Sequence, residues 1–580
     1  MSQEPVPGRP RSRRKSGGVR LRPSPKGRAV DERALADVRT LLGDEPRRPD
    51  LLIEHLHRIQ DAHGCLTAAH LTALAHELAL APAEVYEVAT FYHHFDIVKD
   101  GDAPPPELTV RVCESVACHM NGADEMLAAL RQRLGDGIRV IAAPCVGRCD
   151  SAPVAVVGRR PVDHATVDVV AEAAQAARTD AARTEPELPS YTAYGAYRDA
   201  GGYRALAACV GGERDADDVM AAVDAAGLRG LGGAGFPTAQ KWRFVRQEPG
   251  PRVVAINADE GEPGTFKDRY CLETDPHRVL EGMLIAAWVV GADDVFFYLR
   301  DEYAACRAIL TREIAALQAD PTCALPRVHI RRCAGAYICG EETALIESIE
   351  GKRGEPRLRP PFPAQAGVFG RPTLVQNVES VYWLRSILDD GAGTFADQDR
   401  AGHRGVRLYS VSGRVARPGV YRAANGITVR ELIGLAGGMS AGHEFYGYLP
   451  GGASGGILPA SLGDVPLDFR SLDEYGCFIG SAAVVVLSRH DRARDIAHNL
   501  MHFFAHESCG KCTPCRVGTA KAEKLMRNTD WNLPVLQDLA DVMNDASICG
   551  LGQAAPNPLR SIERFFAHEL HELAPTTEAS

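Results

Sequence analysis

Glu507–Arg516 reads ESCGKCTPCR, and its thiols Cys509, Cys512 and Cys515 stand at Cys-x-x-Cys-x-x-Cys spacing. A [4Fe–4S] cubane takes four thiolates, and this spacing lets one tight loop supply three of them. The fourth must come from elsewhere, and Cys549 in SICGLG is the candidate. Structural zinc more often uses two separated pairs than a close triplet, and cysteines that merely pack in a core do not cluster this way. Upstream, Ile496, Leu500 and Phe504 share one helical face and lead straight into the loop, so residues 489–580 are expected to form a helical iron–sulfur domain.

Working outward, the rest of the 580 residues has room for several domains. The formal charge of −10 is uneven: residues 1–28 hold nine Lys/Arg and one Glu, a basic tail of +8 on a remainder of −18. The tail has no apolar periodicity and reads as disordered. Its RSRRK run is followed by no apolar stretch, which argues against an export signal. No apolar run approaches the ~20 residues of a membrane helix. Sixteen cysteines without a secretion signal favour metal or redox use in a reducing cytoplasm over disulfides. The expected location is therefore cytoplasmic.

Residues 29–105 show helical periodicity, with Leu52, Leu56 and Ile59 on one face and Pro82 placed to open a new helix. Consecutive prolines at 104–106 end this bundle. Across 106–180, strands (LTVRVC, GIRVIAAPC, APVAVVG) alternate with helices at 123–134 and near 167–177, which predicts a compact thioredoxin-sized α/β unit. Cys113 and Cys118 follow the first strand, and Cys145 and Cys149 the second. Two pairs suit a [2Fe–2S] cluster, one pair per iron, and they also suit tetrahedral zinc.

After a linker at 181–199, a large α/β region spans 200–395, and a small α+β module spans 404–488. In GLRGLGGAGFPT (227–238), Gly230, Gly232 and Gly235 have the spacing of a dinucleotide fingerprint, but a helical pattern precedes them and the strand RVVAIN follows, the reverse of what that fingerprint needs. What survives is a glycine run, Gly233 included, whose backbone N–H groups can approach a phosphate or a flat ring, with Lys241 six residues beyond Gly235. Asp259, Glu260 and Glu262 in NADEGEPGTFKDR, and Glu341 and Glu342 in GAYICGEETAL, form either a solvated face or a pocket accepting ribose and amide hydrogen bonds and disfavouring a 2′-phosphate.

Taken together, ESCGKCTPCR with the later cysteine, GLRGLGGAGFPTAQKW, NADEGEPGTFKDR and GAYICGEETAL resemble the NADH-oxidising, FMN-bearing 51-kDa-type subunit of the complex I family. Residues 30–180 resemble its 24-kDa-type thioredoxin-like partner. A fused pair of this kind is similar to the diaphorase subunits of NAD-linked formate dehydrogenases and NAD-reducing hydrogenases. The resemblance implies a multi-domain α/β fold: helical bundle, thioredoxin-like domain, FMN-binding domain, β-grasp (ubiquitin-like) module and helical iron–sulfur domain. It implies FMN held by the Gly230–Gly235 loop, Lys241, Asn257, Asp259 and Asn377. Phe236, Phe244 and Phe362 match positions that sandwich the adenine of NAD(H), with Glu260, Glu262, Tyr337, Gly340, Glu341 and Glu342 toward nicotinamide and ribose. It also implies [4Fe–4S] on Cys509, Cys512, Cys515 and Cys549, and [2Fe–2S] on Cys113, Cys118, Cys145 and Cys149. No side-chain acid or nucleophile is expected to act, since the cofactors carry the chemistry.

Departures from the family pattern are Leu231 where arginine is usual, Arg359 where lysine is common, and Gln376 before Asn377. Val517 follows CTPCR where the complex I type has glutamate, a variation shared with formate dehydrogenase diaphorases. The expected partner is a molybdenum- or tungsten-pterin formate dehydrogenase subunit carrying further clusters, in a hetero-oligomer with no nucleic acid or membrane. A hydrogenase diaphorase, a fused complex I module, and a zinc-bearing scaffold or nucleic-acid binder are the alternatives.

Overall fold

The computed structural model describes residues 28–396, 400 and 402–570. The expected basic tail lies outside them except for Arg28. The chain is a multi-domain α/β protein organised around a four-stranded parallel sheet, ordered Thr373–Asn377, Arg252–Ala258, Ala292–Leu299, Arg327–Arg332. Val253, Val254, Ala255 and Ile256 are wholly buried, as expected of a parallel strand covered on both faces. Helices Pro276–Val290 and Ala304–Ala319 pack against this sheet, and Pro276–Val290 is buried along nearly its whole length. The register sets Asn257 directly beside Asn377 at the carboxyl ends of adjacent strands, the edge where parallel sheets bind ligands.

The other units are arranged around this sheet. Four helices, Glu32–Leu42, Leu52–His63, Ala68–Glu77 and Pro82–Phe91, form the N-terminal bundle. It docks through Asp50–Arg331 (2.9 Å) and Asp61–Arg332 (2.6 Å), and Tyr92 donates its hydroxyl to Ser348 at 2.9 Å. The thioredoxin-like sheet runs Arg139–Ala143, Thr109–Cys113, Ala155–Val157, Arg160–Val162, the first pair parallel and the rest antiparallel. Its helices Ala123–Leu134 and Val167–Thr179 pack over it. The β-grasp module is a five-stranded mixed sheet with helix Val429–Leu435, opened by a Thr428–Glu431 capping box. Its strands Phe445–Leu449 and Leu458–Pro459 were not visible in the sequence pattern, because glycines interrupt the alternation that marks a strand. Among the described residues, five α-helices from Ala493 to Phe565 follow the β-grasp module.

Residues 181–199 are not free chain. They hold a short helix, Tyr194–Asp199, and three tyrosines fix them to the central domain. Tyr191 donates to Glu313 (2.8 Å), the Tyr194 backbone N–H to the same carboxylate (2.9 Å), and Tyr197 to buried Glu281 (2.6 Å). The composition reads as linker because proline and small residues dominate it, while three phenols supply the anchoring.

Between the thioredoxin-like and central domains lies a guanidinium clamp. Arg269 donates to the Gly147 carbonyl (2.9 Å) and to both oxygens of Asp150 (2.8 and 2.9 Å), and Arg300 donates to the Cys145 carbonyl (2.6 Å). Arg269→Leu is expected to weaken this docking by about 2–3 kcal/mol, below the ~3–5 of a fully buried pair because Asp150 keeps some water. Hydrogen exchange checks it: amides of residues 145–151 should exchange at least tenfold faster, and unchanged protection would show that apolar packing alone holds the domains together.

Candidate functional site

A cavity of about 1160 Å³ opens at the carboxyl end of the central sheet. Its walls bring together Gly230, Gly232, Gly233, Gly235, Phe236, Lys241, Phe244, Asn257, Gly340, Glu341, Glu342, Phe362 and Asn377, residues spread over almost 150 positions. The glycine loop sits between helices Ala216–Ala225 and Thr238–Gln247, so the strand–loop–helix order of a dinucleotide fingerprint is absent. The loop is folded on itself: Gly230 N–H donates to the Phe236 carbonyl (2.8 Å) and Gly235 N–H to that of Gly230 (3.2 Å). Leu231, standing where arginine is usual, turns into the core and donates its N–H to Ser380 (2.9 Å). Among the described residues, the N–H groups of Gly232, Gly233 and Ala234 donate to no protein acceptor.

These features fit a flavin mononucleotide. Unpaired N–H groups beside a cavity are anion ligands in waiting, and a Cβ at Gly232 would stand 3.1 Å from the Asn377 Cβ, so a side chain there would crowd Asn377. Lys241 and Arg359 bring positive charge to the same wall, and both are held by carboxylates. Lys241 pairs with Glu342 at 2.8 Å, and Arg359 bridges Glu341 and Glu342. Burial alone would push the Glu342 carboxyl up, but the Lys241 ammonium and Arg359 guanidinium hold it below the usual range. Asn257 is fixed by donating to the Gly340 carbonyl (2.8 Å) and accepting from Asp259 N–H (3.1 Å).

Asn377 is held from behind by a buried ionic group. It donates to Asp268 (2.6 Å) and accepts from Lys267 (3.3 Å). Lys267 also pairs with Asp268 at 2.8 Å and Glu379 at 3.1 Å, all three with side chains at most 4% exposed. The sequence reading included Lys267 in the motif NADEGEPGTFKDR but assigned it no role, and it passed over Glu379, since a lone glutamate looks like ordinary surface.

The aromatic residues are placed unlike core residues. Phe236, Phe244 and Phe362 are 42, 43 and 51% exposed on the cavity rim, with the first two rings 6.2 Å apart. Exposed phenyl faces around a cleft suit a flat ligand ring. Leu358, 73% exposed, joins them together with Arg357 and Gln553, none of which the sequence reading picked out. An apolar side chain in a proline-rich stretch was the available signal.

Four expected residues lie outside the cavity wall. Glu260 turns inward and accepts from the N–H groups of Asp268 (2.8 Å) and Arg269 (3.1 Å) and from the Tyr303 hydroxyl (2.8 Å). It shapes the start of helix Lys267–Thr274 rather than facing a ligand. Glu262 accepts from the Ser454 N–H (2.7 Å) and from the Tyr337 hydroxyl, joining the central domain to the β-grasp module. Asp259 is buried, one carboxylate oxygen lacks a partner, and its pKa is driven well up by burial. It lies with Tyr337 and Cys145 along a small void between the domains. A strand-end turn sends successive carboxylates to different sides, so the cluster read from sequence is divided between two surfaces.

The cysteines converge in two places. Cys509 and Cys512 sit in the turn between helices Ala493–Glu507 and Thr513–Met526, Cys515 lies in the first turn of the latter, and Cys549 caps helix Gly550–Ala554. All four pack at one edge of the same core. Burial pushes the Cys509 thiol up to about 11 and Cys515 to about 12, so a metal bound there would have to expel their protons. Cys549 also lines the large cavity, next to Ile548 and Gly550. Cys113, Cys118, Cys145 and Cys149 are all buried, with the Cys145 and Cys149 sulfurs 3.4 Å apart and Cys145 accepting from Gly147 N–H at 3.4 Å. Cys145 and Cys149 pack against Phe266 of the central domain. Among the described residues no helix is long and apolar enough to cross a membrane.

Comparison with known proteins accounts for these units. Residues 223–385 match the Nuo51 FMN-binding domain, 38–178 the thioredoxin-like [2Fe-2S] ferredoxin, 408–457 the SLBB domain, and 495–573 the NADH-ubiquinone oxidoreductase-F iron-sulfur binding region. An F-type NADH-quinone oxidoreductase subunit of Rhizobium meliloti is 40% identical over 399 residues, 66% of this chain and 94% of that protein. Its F-type counterpart in Streptomyces coelicolor is 41% identical over 378 residues, 61% of this chain and 83% of that protein. The structure of an NAD+-reducing [NiFe]-hydrogenase in the H2-reduced state superposes with a TM-score of 0.79 at 33% identity, covering 90% of this chain and 92% of that one. A buried-cysteine pair of loops, a cubane-type triplet and a glycine-walled cavity thus have one common explanation: the chain belongs to the family of F-type NADH-quinone oxidoreductase subunits, NAD-dependent oxidoreductases with FMN, [2Fe–2S] and [4Fe–4S] as the cofactors of this member.

Proposed function

We propose that this chain is the diaphorase subunit of an NAD-dependent formate dehydrogenase, receiving electrons from a molybdenum- or tungsten-pterin partner and delivering them to NAD+. The diaphorase role rests on one observation above all: Cys549 and the Gly230–Gly235 loop share the walls of a single cavity. Bound FMN supplies the exchange between two-electron nicotinamide chemistry and one-electron cluster chemistry. The chain's own part is positional. The loop N–H groups and Lys241 would hold the FMN phosphate, Asn257 and Asn377 its ring, and Phe236, Phe244 and Phe362 the adenine of NAD(H). Cys509, Cys512, Cys515 and Cys549 would hold the four-iron cluster, and Cys113, Cys118, Cys145 and Cys149 the two-iron cluster.

The formate assignment rests on Val517, the residue after CTPCR. It is 49% exposed on the helix that carries Cys515, where an uncharged side chain suits a different neighbour from the glutamate of the complex I type. A hydrogenase partner is the second reading, favoured by the hydrogenase chain that spans nearly the whole of this one. Purifying the chain with its associated subunits separates them. Molybdenum or tungsten with formate-dependent NAD+ reduction supports the proposal. Nickel with hydrogen-dependent reduction, and no formate activity, overturns the formate reading and leaves the diaphorase role standing.

Glu342 sets the nucleotide preference in this reading. Glu342→Ala removes a negative charge from the cavity wall beside Arg359, and less repulsion there favours a 2′-phosphate. The kcat/KM ratio of NADPH to NADH should rise about tenfold, the equivalent of about 1.4 kcal/mol. An unchanged ratio would remove Glu342 from the ribose side of the cavity.

A further inference from the structure

On the N-terminal bundle, away from both cysteine groups, three side chains converge that the electron-transfer role does not use. Asp37 projects from helix Glu32–Leu42, His63 ends helix Leu52–His63, and His70 lies in the first turn of helix Ala68–Glu77. Gly64, at φ +69°, turns the chain after His63 and sends it back toward the bundle, so that His70 meets His63 seven residues later. The two imidazoles stack, centroids 4.5 Å apart and planes 22° from parallel. Both direct Nε2 at the same oxygen of Asp37, His63 at 2.7 Å and His70 at 3.3 Å. All three candidate ligand atoms lie within 4.8 Å of one another.

We propose that Asp37, His63 and His70 form a divalent-cation site of the zinc class, a two-histidine, one-carboxylate set that ties the first three helices together. Ligands ~2.0–2.2 Å from a tetrahedral zinc are about 3.3–3.5 Å apart, so the His70–Asp37 edge already has that length. An ordinary ion pair would need one imidazole on the carboxylate. Here two imidazoles share one oxygen, while the other oxygen of Asp37 has no partner among the described residues. A cation between them satisfies both nitrogens at once. Among the described residues no arginine competes for Asp37: the nearby Arg39 and Arg58 are paired with Glu77 and Glu45. His63 and Asp37 are each about a third exposed, which leaves the fourth position to water.

Among the described residues, two other groups of histidines with a carboxylate lack these features. At His57, His94 and Asp301 the carboxylate is already taken by Arg307 (3.1 Å) and Arg332, and that positive charge opposes a cation. At His93, His506 and Glu507 the carboxylate accepts the Tyr337 N–H at 2.8 Å, so it is committed to the central domain.

The test uses the full-length protein carrying its clusters, equilibrated with zinc, desalted and analysed for zinc and iron. The wild type should retain one zinc per chain more than His63→Ala/His70→Ala, at equal iron content, and zinc should slow amide exchange across residues 32–42. NADH–ferricyanide activity, equal in the two proteins, reports that the double variant is folded. Asp37→Asn, a smaller perturbation, should bind zinc at least tenfold more weakly. Equal zinc in wild type and double variant, zinc in neither, or undiminished affinity in Asp37→Asn each overturns the site.

Discussion

Cys512→Ser should abolish the [4Fe–4S] EPR signal, leave the two-iron signal in place, and cut electron delivery beyond the flavin at least 100-fold. The reasoning begins with coordination: a cubane needs four soft thiolates, and a serine oxygen is a poor substitute. Changing a group that only touches a ligand already costs about 10–100-fold in many metal sites, so loss of a ligand should exceed that. Selectivity follows from placement. Cys512 stands at the mouth of helix Thr513–Met526, packed against the helical C-terminal core, whereas Cys113 and Cys118 belong to the separate core of the thioredoxin-like sheet. A surviving four-iron signal would remove Cys512 from the ligand set. Loss of both signals would mean that the turn is needed for folding as a whole.

Lys267→Met is expected to cost about 3–5 kcal/mol, the usual penalty for leaving buried charge uncompensated. Lys267 is 1% exposed and faces Asp268 and Glu379 at 2.8 and 3.1 Å. Methionine fits the volume, but it leaves two carboxylates facing each other in the interior with no cation between them. The damage should extend to the cavity, because Asn377 takes its orientation from Lys267 and Asp268. FMN retention through desalting should fall by at least tenfold even at temperatures where the chain stays folded. Lys267→Arg keeps the charge and should recover part of both losses. A Lys267→Met protein with unaltered thermal unfolding and full flavin would show that the Lys267 ammonium holds neither the interior nor Asn377 in place.

How far the sequence reached depended on whether a property was local. Helix Ala123–Leu134 and strand Thr109–Cys113 have the extents that periodicity suggests, because a single segment and its burial decide them. The cysteine groups were visible for a similar reason, spacing alone restricting what can bind. Direction was not legible. Glu260 and Glu341 look alike in sequence, and each accepts N–H groups at the start of a helix, yet only Glu341 also stands on the cavity wall, beside Arg359. Only the turn after strand Arg252–Ala258 decides which way a carboxylate points. The support behind Asn377 was hidden because Lys267, Asp268 and Glu379 meet across about 110 residues, and nothing in either segment alone shows that it will be buried.

The tyrosine-anchored segment at 181–199 has a consequence for assembly. Where two electron-transfer modules are separate proteins, their contact dissolves on dilution and each can be made in excess of the other. Here a strap of under 20 residues, itself fastened by Tyr191, Tyr194 and Tyr197, replaces an encounter in solution with a permanent neighbour at an effective concentration on the order of millimolar or higher. Synthesis of one polypeptide then fixes the two modules at equal copy number, and their contact is insensitive to how much protein is present.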